Sequence, residues 1–187
     1  MFEQTFHRKA QFVARAPGRV NLIGTLSKGR PWPLTRDIGE HIDYCGYSVL
    51  PMAVEKDIIV AVAADDDDVA EGGDLKLHCA NTNTKYPMRV FEHGMQEGWA
   101  NEKKHFTVDK TGKFTIDPTK HDWTSYFLAG YKKYFEETPE AKPKTLFLLF
   151  DGTVPAGSGL SSSSAMVCVS ILATQHATGG SHSLVDK

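Results

Sequence analysis

Pro155-Ala156-Gly157-Ser158-Gly159-Leu160-Ser161-Ser162-Ser163-Ser164-Ala165 decides how the chain is read. Before it stands Leu146-Phe147-Leu148-Leu149-Phe150, an apolar run of strand length, and residues 166–172 after it are again apolar. From Ser161 or Ser162 onward, residues 161–177 read as a helix. A Gly/Ser loop at a strand-to-helix junction has a specific chemistry. The helix start leaves backbone N–H groups unpaired and carries a partial positive charge. Glycines let the main chain approach a phosphate, and serine hydroxyls can donate to it or ligate Mg²⁺. The loop is not a Walker A motif, because no Gly-Lys-Ser/Thr follows the glycines. Gly-x-Ser-x-Gly is absent too, which excludes a nucleophile elbow. A flexible linker whose serines merely cap the helix is the competing reading. Core elements on both sides favour anion binding.

Working outward, residues 123–135 place Trp123, Phe127, Gly130, Tyr131 and Tyr134 at helical spacing. The pattern predicts an amphipathic helix whose aromatic stripe serves the core rather than a ligand. Pro139 and Pro143 stop it before the strand at residues 145–150. Residues 12–15 read as a short strand entering a loop at Ala16-Pro17-Gly18, residues 58–64 as a strand, and residues 75–80 as a half-buried strand. Residues 86–91 and 106–116 are weaker strands around turns at Gly94, Gly98 and Gly112, with residues 96–104 polar and exposed. The four acids Asp65 to Asp68 read as a solvated turn, since consecutive side chains diverge too far to share a cation. No internal repeat is visible. Strands and helices mix without regular alternation, which predicts an α+β fold rather than a doubly wound sheet.

The 187 residues suffice for one domain with a core, and 41% hydrophobic with 24% charged residues is an ordinary globular balance. A net charge of −2 and a pI near 6.4 argue against nucleic-acid or membrane-surface partners, which need a basic footprint. Cys45, Cys79 and Cys168 lack metal-ligand or redox spacing, so reduced thiols in the cytosol are expected. The polar first ten residues are no signal peptide, and the longest apolar run, 146–150, is too short to span a bilayer.

A second constellation lies upstream in two pieces, APGRVNLIG at residues 16–24 and EHIDYCGY at residues 40–47. The carboxylates of Glu40 and Asp43, close together in a turn, suit bidentate hydrogen bonds from vicinal sugar hydroxyls, and His41 adds a polar contact. Arg19 is a permanent planar cation suited to a transferring phosphoryl group. A solvated loop is the ordinary alternative for such an acidic cluster. A metal site would need a further ligand at suitable spacing, and none stands nearby.

Read together, APGRVNLIG, EHIDYCGY and PAGSGLSSSSA resemble the signature motifs of galactokinases within the GHMP small-molecule kinase superfamily. EHIDYCGYSVLPMAVE, Ala80-Asn81-Thr82-Asn83, residues 123–130 and the serines Ser161 to Ser164 resemble the N-acetylgalactosamine kinase branch. The resemblance covers most of the chain and is weakest over residues 94–117. It implies phosphoryl transfer from ATP, with Mg²⁺, to the anomeric hydroxyl of galactose or N-acetylgalactosamine by a monomeric cytoplasmic protein. Arg19 then matches the transition-state arginine, and with Glu40, His41 and Asp43 it contacts the sugar. Gly159, Ser161, Ser162 and Ser163 match the loop around the nucleotide phosphates, with Ser163 a candidate Mg²⁺ ligand. The implied fold is a GHMP kinase N-terminal domain over residues 1–187, with the galactokinase signature at 16–47 and the phosphate loop at 155–165. Nucleotide and sugar would lie between it and a C-terminal domain.

Two departures from the family pattern set further expectations. Residues 25–39, TLSKGRPWPLTRDIG, interrupt what family members write as NLIGEHIDY, and end by repeating Ile23-Gly24 as Ile38-Gly39. A surface bulge costs little closure entropy. This one, however, separates Arg19 from Glu40, His41 and Asp43, where displacements of about 1 Å already cost rate. A retained short intron or alternative splice product is the origin it suggests. The family's catalytic-base aspartate, in a Gly-rich segment ending near Met-Asp-Gln, has no counterpart before Lys187, and Asp186 matches the start of the next family helix instead. The expectation is a domain without its C-terminal partner, marginally stable and inactive or nearly so by itself. A non-catalytic ATP- or sugar-binding module of the same fold is the alternative, and the uneroded phosphate loop counts against it. A serine hydrolase using the serine cluster with His176 or His182 lacks an elbow and a third triad member.

Overall fold

The computed structural model describes residues 1–22, 49–65, 75–93, 106–108, 114–116 and 122–180. Among them the elements run α1 (Phe2–Phe6), β1 (Phe12–Leu22), β2 (Leu50–Ala64), β3 (Leu75–Asn81), β4 (Arg89–His93), β5 (Phe106–Val108), β6 (Phe114–Ile116), α2 (Ser125–Glu137), β7 (Leu146–Gly152) and α3 (Ser162–Ala177). Five strands form a mixed sheet in the order β1-β2-β7-β3-β4, while β5 and β6 pair separately. Within the larger sheet only the β3–β7 junction is parallel.

The central strand is apolar on both faces because both faces are covered. Leu146, Leu148 and Phe150 enter the main core with Val60, Val62, Leu77 and Cys79 from the sheet and Phe127, Tyr131, Val169 and Ala173 from α2 and α3. Full burial of such side chains is worth about 1.5–3 kcal/mol each, so these three contribute roughly 5–9 kcal/mol before entropy is counted. Phe147 and Leu149 point the other way, a consequence of the two-residue strand period. They join Phe2 and Phe6 of α1 with Ala63 and Ala80. The Arg8 guanidinium lies 3.7 Å from the centre of the Phe147 ring and donates to Asp65 Oδ1 at 2.6 Å.

Helices α2 and α3 share the opposite face and meet closely at Gly130. A Cβ there would lie 2.6 Å from the Val167 carbonyl oxygen and 2.8 Å from Ser170 Cβ. Hydroxyls buried along α3 are satisfied locally: Ser170 donates to the Met166 carbonyl at 2.6 Å and Thr174 to the Ser170 carbonyl at 2.8 Å. Such back-bonding lets polar residues occupy a buried helix face without orphaned groups.

The expected α+β architecture holds, and α2, α3, β3 and β7 fall close to the predicted positions. The segment Ala16-Pro17-Gly18, expected as a loop, instead lies within β1. Proline is tolerated because β1 is an edge strand. Pairing runs through a bulge there, since Pro17 opposes Asp57 and Arg19 opposes Ala53. β2 starts at Leu50, well before residue 58, and the weaker strand region at 106–116 holds β5 and β6. The short α1 was not anticipated. Asp65 is described, but Asp66 to Asp68, residues 96–104 and the turns at Gly94, Gly98 and Gly112 lie outside the described residues.

Gly130→Ala is expected to lose about 1–2 kcal/mol in a denaturant titration. Overpacking against the Val167 carbonyl costs about 1–3 kcal/mol, which exceeds the roughly 1 kcal/mol that alanine gains in helix propensity. Cys79 is buried and Cys168 exposed, and both are free thiols. Burial, and secondarily the charge of Asp122, raises the Cys79 pKa well above its ordinary value. Maleimide labelling at neutral pH read by peptide mass should therefore modify Cys168 and spare Cys79 until the chain unfolds; early labelling of Cys79 would contradict the packing.

Candidate functional site

The loop from β7 to α3 lies where the strands run out. Pairing between β2 and β7 ends at Ile58–Gly152, and the next residues, Thr153 and Val154, donate their N–H groups to the Asp57 carbonyl oxygen at 2.9 and 3.4 Å. The backbone then turns through Gly157 and Gly159 with φ of 71° and 76°. Glycine adopts this left-handed region without the steric cost other residues bear. Ser161 also takes φ 56°, at the N-cap of α3, and makes no side-chain capping bond. That weakens the capping-linker reading. The first-turn N–H groups of α3 lie beyond the reach of the intrahelical ladder, an arrangement that suits an anion.

At its far end the loop is tied to the upstream motif. The Arg19 N–H donates to the Leu160 carbonyl oxygen at 3.0 Å. This approach depends on Gly18, where a Cβ would come within 2.7 Å of the Leu160 oxygen and 3.0 Å of Val54 Cγ2. The structure thus brings the first half of the split motif directly against the phosphate loop. Arg19 is half-buried on β1 beside it. Glu40, His41 and Asp43, the remaining sugar-site residues read from sequence, lie outside the described residues, as does Cys45.

Beside the loop opens a cavity of about 550 Å³, lined by the C-terminal ends of β3 and β7, the start of α2 and the first residues of α3. Trp123, Tyr126, Tyr86 and Phe150 give it aromatic walls, while Ser162 and Ser163 stand at the phosphate-loop side. Trp123 is fixed by its indole N–H, which donates to the Pro87 carbonyl at 3.0 Å, and by edge contact with Phe150 at 5.7 Å. The side-chain oxygen Oδ1 of Asn81 accepts from the Asn83 N–H at 2.8 Å, and Oδ1 of Asn83 from the Lys85 N–H at 3.0 Å, so the turn after β3 is self-braced. Among the described residues the charged ones of the lining are acids: Asp122, paired with Arg89 at 2.8 Å, and Asp151, which accepts from the Thr82 hydroxyl at 2.7 Å. A polyanion is therefore better placed at the loop and Arg19, and a flat neutral ring in the cavity.

Trp123, part of the expected core stripe, packs against the core and also lines the cavity, as does Tyr126, whereas Phe127, Tyr131 and Tyr134 are buried as expected. Helical spacing ranks residues by face but cannot say that the first turn of α2 overhangs a cleft. Gly159, Ser161, Ser162 and Ser163 cluster at the loop and helix start as read from sequence. His176 packs edge-on against Phe12, 4.4 Å between ring centres, near the far end of α3. At 1.5 Å per residue it stands roughly 20 Å along the helix from Ser162, too far for a serine–histidine pair. His182 lies outside the described residues.

Comparison with known proteins agrees with this geometry. The galactokinase galactose-binding signature matches residues 1–25 and 38–64, and the GHMP kinases N terminal domain matches residues 125–186. The break between 25 and 38 falls in the expected interruption. The chain is 38% identical over 188 residues to the galactokinase of Schizosaccharomyces pombe, covering 95% of this chain and 29% of that protein. It therefore spans less than a third of the length of that curated relative. Among solved structures it resembles Lactococcus lactis galactokinase complexed with galactose (TM-score 0.54, 23% identity, 90% of this chain and 33% of that one). It also resembles a mevalonate kinase (TM-score 0.58, 14% identity, 92% and 42%).

Gly18→Ala should disturb the junction between the two motifs selectively. Amide exchange of Arg19 is expected to accelerate about tenfold or more, matching roughly 1–3 kcal/mol of overpacking. The Val60 amide at the sheet centre should be unaffected. Equal acceleration at both sites would mean that Gly18 supports the whole sheet instead.

Proposed function

We propose that the chain belongs with the galactokinase family and, on its GHMP kinase N-terminal domain fold, has a share in ATP-dependent phosphorylation of a galactose-type sugar at its anomeric hydroxyl. The observation that carries this reading is the hydrogen bond from Arg19 to Leu160. It joins the sugar signature to the phosphate loop, as transfer between a sugar and a nucleotide demands.

The residues present fit a nucleoside triphosphate. The aromatic cavity suits the base by size and, among the described residues, by its lack of cationic lining. The positive-φ loop and the uncapped start of α3 suit the phosphates, with Gly159, Ser161, Ser162 and Ser163 as the contacts. Ser163, exposed at the rim of the cavity, is the candidate ligand of Mg²⁺. The bound ion would supply neutralisation of phosphate charge. Arg19 would hold negative charge on the phosphoryl group as it leaves the nucleotide, a role for which a permanently charged planar guanidinium is suited. Glu40, His41 and Asp43 are assigned the sugar, whose hydroxyls offer donors to paired carboxylates. Galactose is favoured by the signature match and by the galactose-bound structural neighbour. N-acetylgalactosamine remains the second substrate, on the resemblance of residues 40–55 to that branch. We place the protein in the reducing cytosol as a monomer, consistent with the free thiols of Cys79 and Cys168. Among the described residues no helix is long and apolar enough to cross a membrane.

Calorimetric titration of the chain with ATP and Mg²⁺ should show saturable binding. Trp123→Ala should weaken it about tenfold, in line with the roughly 1–3 kcal/mol of base–aromatic stacking. Incubation with Mg²⁺-ATP and each sugar, followed by detection of sugar 1-phosphate, then separates the roles. Product from galactose but not N-acetylgalactosamine assigns the substrate, and binding without product leaves the chain the nucleotide-holding share alone. Absence of any saturable ATP binding would falsify the proposal.

A further inference from the structure

Asp57 is tied to the start of the phosphate loop by contacts that the proposed chemistry does not use. Its N–H donates to Thr153 Oγ1 at 3.2 Å, and the Thr153 hydroxyl donates to Asp57 Oδ1 at 3.4 Å. Its carbonyl oxygen accepts from the N–H groups of both Thr153 and Val154. The other carboxylate oxygen, Oδ2, accepts from Arg15 Nε on β1. With all these partners the side chain is only 17% exposed. Its place in the fold gives the cluster its meaning. Ile58–Gly152 is the last pair of the β2–β7 ladder, so Asp57 and Thr153 meet one step beyond it. At the far end of the loop the Arg19 N–H holds Leu160, so Asp57 and Arg19 grip its two ends.

We infer that Asp57 is a positioning residue for nucleotide phosphates: through Thr153 it sets where the loop of residues 153–160 stands. Asp57 is absent from the cavity lining, while Thr153 belongs to it. Its influence therefore reaches a ligand only through the loop. The aromatic walls are Trp123 just before α2, Tyr126 of α2, Tyr86 after β3 and Phe150 of β7, none of which is a hydrogen-bond partner of Asp57. Losing its carboxylate should loosen the phosphate end of the site and leave the base end as it was. The inference rests on the proposed reading of the loop as a phosphate cradle.

Separate titrations of the 187-residue chain with Mg²⁺-ATP and with adenosine test it. Asp57→Ala and Thr153→Val are expected to weaken ATP about tenfold, the effect of a modest misplacement of binding groups, with adenosine affinity held within about twofold. Asp57→Asn keeps an acceptor and Thr153→Ser keeps the hydroxyl, so both should stay within about threefold of the parent for ATP. Unchanged or tighter ATP binding by Asp57→Ala overturns the inference, because a carboxylate near phosphates would then act only by repulsion. Equal losses for ATP and adenosine overturn it too, since they indicate general loosening. A parent chain that binds neither ligand overturns the reading of the cavity itself, and this inference with it.

Discussion

An N–H group that must reach a carbonyl across a residue with no side chain is the constraint on which this site depends. The Arg19 amide meets the Leu160 oxygen at 3.0 Å, and Gly18 leaves that oxygen no room for a Cβ. One hydrogen bond of this kind is worth only about 1 kcal/mol net. Its importance is geometric, because it joins two segments separated by some 140 residues of sequence. The proposed function assigns the phosphoryl charge to Arg19, so the same bond that anchors the loop would also set the backbone from which that charge extends.

The sheet supplies what the loop cannot. A Gly- and Ser-rich segment has little apolar surface of its own and would be mobile if its flanks were. Here Leu146, Leu148 and Phe150 are buried on one side of the loop, and Ala165, Met166 and Val169 on the other. Packing thus fixes both ends of a segment that does not itself pack. Beside the bulge between β1 and β2, Asp57 meets the start of the loop and Arg19 its end. Charge is partitioned accordingly: acids line the cavity, while the helix start and Arg19 provide the positive end.

Much of this was legible in the residues. The apolar run at 146–150, the serines at an expected helix start and the helical spacing of Phe127, Tyr131 and Tyr134 encode local structure, and local structure follows periodicity and turn chemistry. The motifs encode chemistry because phosphate contact demands glycine and hydroxyl side chains at a helix start, wherever the chain goes next. Ala16-Pro17-Gly18 misled for an equally physical reason. Proline and glycine ordinarily break a strand, and only an edge position with a bulge accommodates them both.

By itself, then, the sequence determined the α+β class and the Gly/Ser loop at a strand-to-helix junction, since each rests on residues adjacent along the chain. Only the tertiary structure decided that Trp123 lines a cavity as well as packing on the core, and that Asp57, unremarked in any motif, grips Thr153. It alone decided that the two motifs touch. Those facts depend on which strand lies beside which and on where a ladder ends. Pairing across 96 residues, as between Asp57 and Thr153, leaves no periodic trace in the sequence on either side.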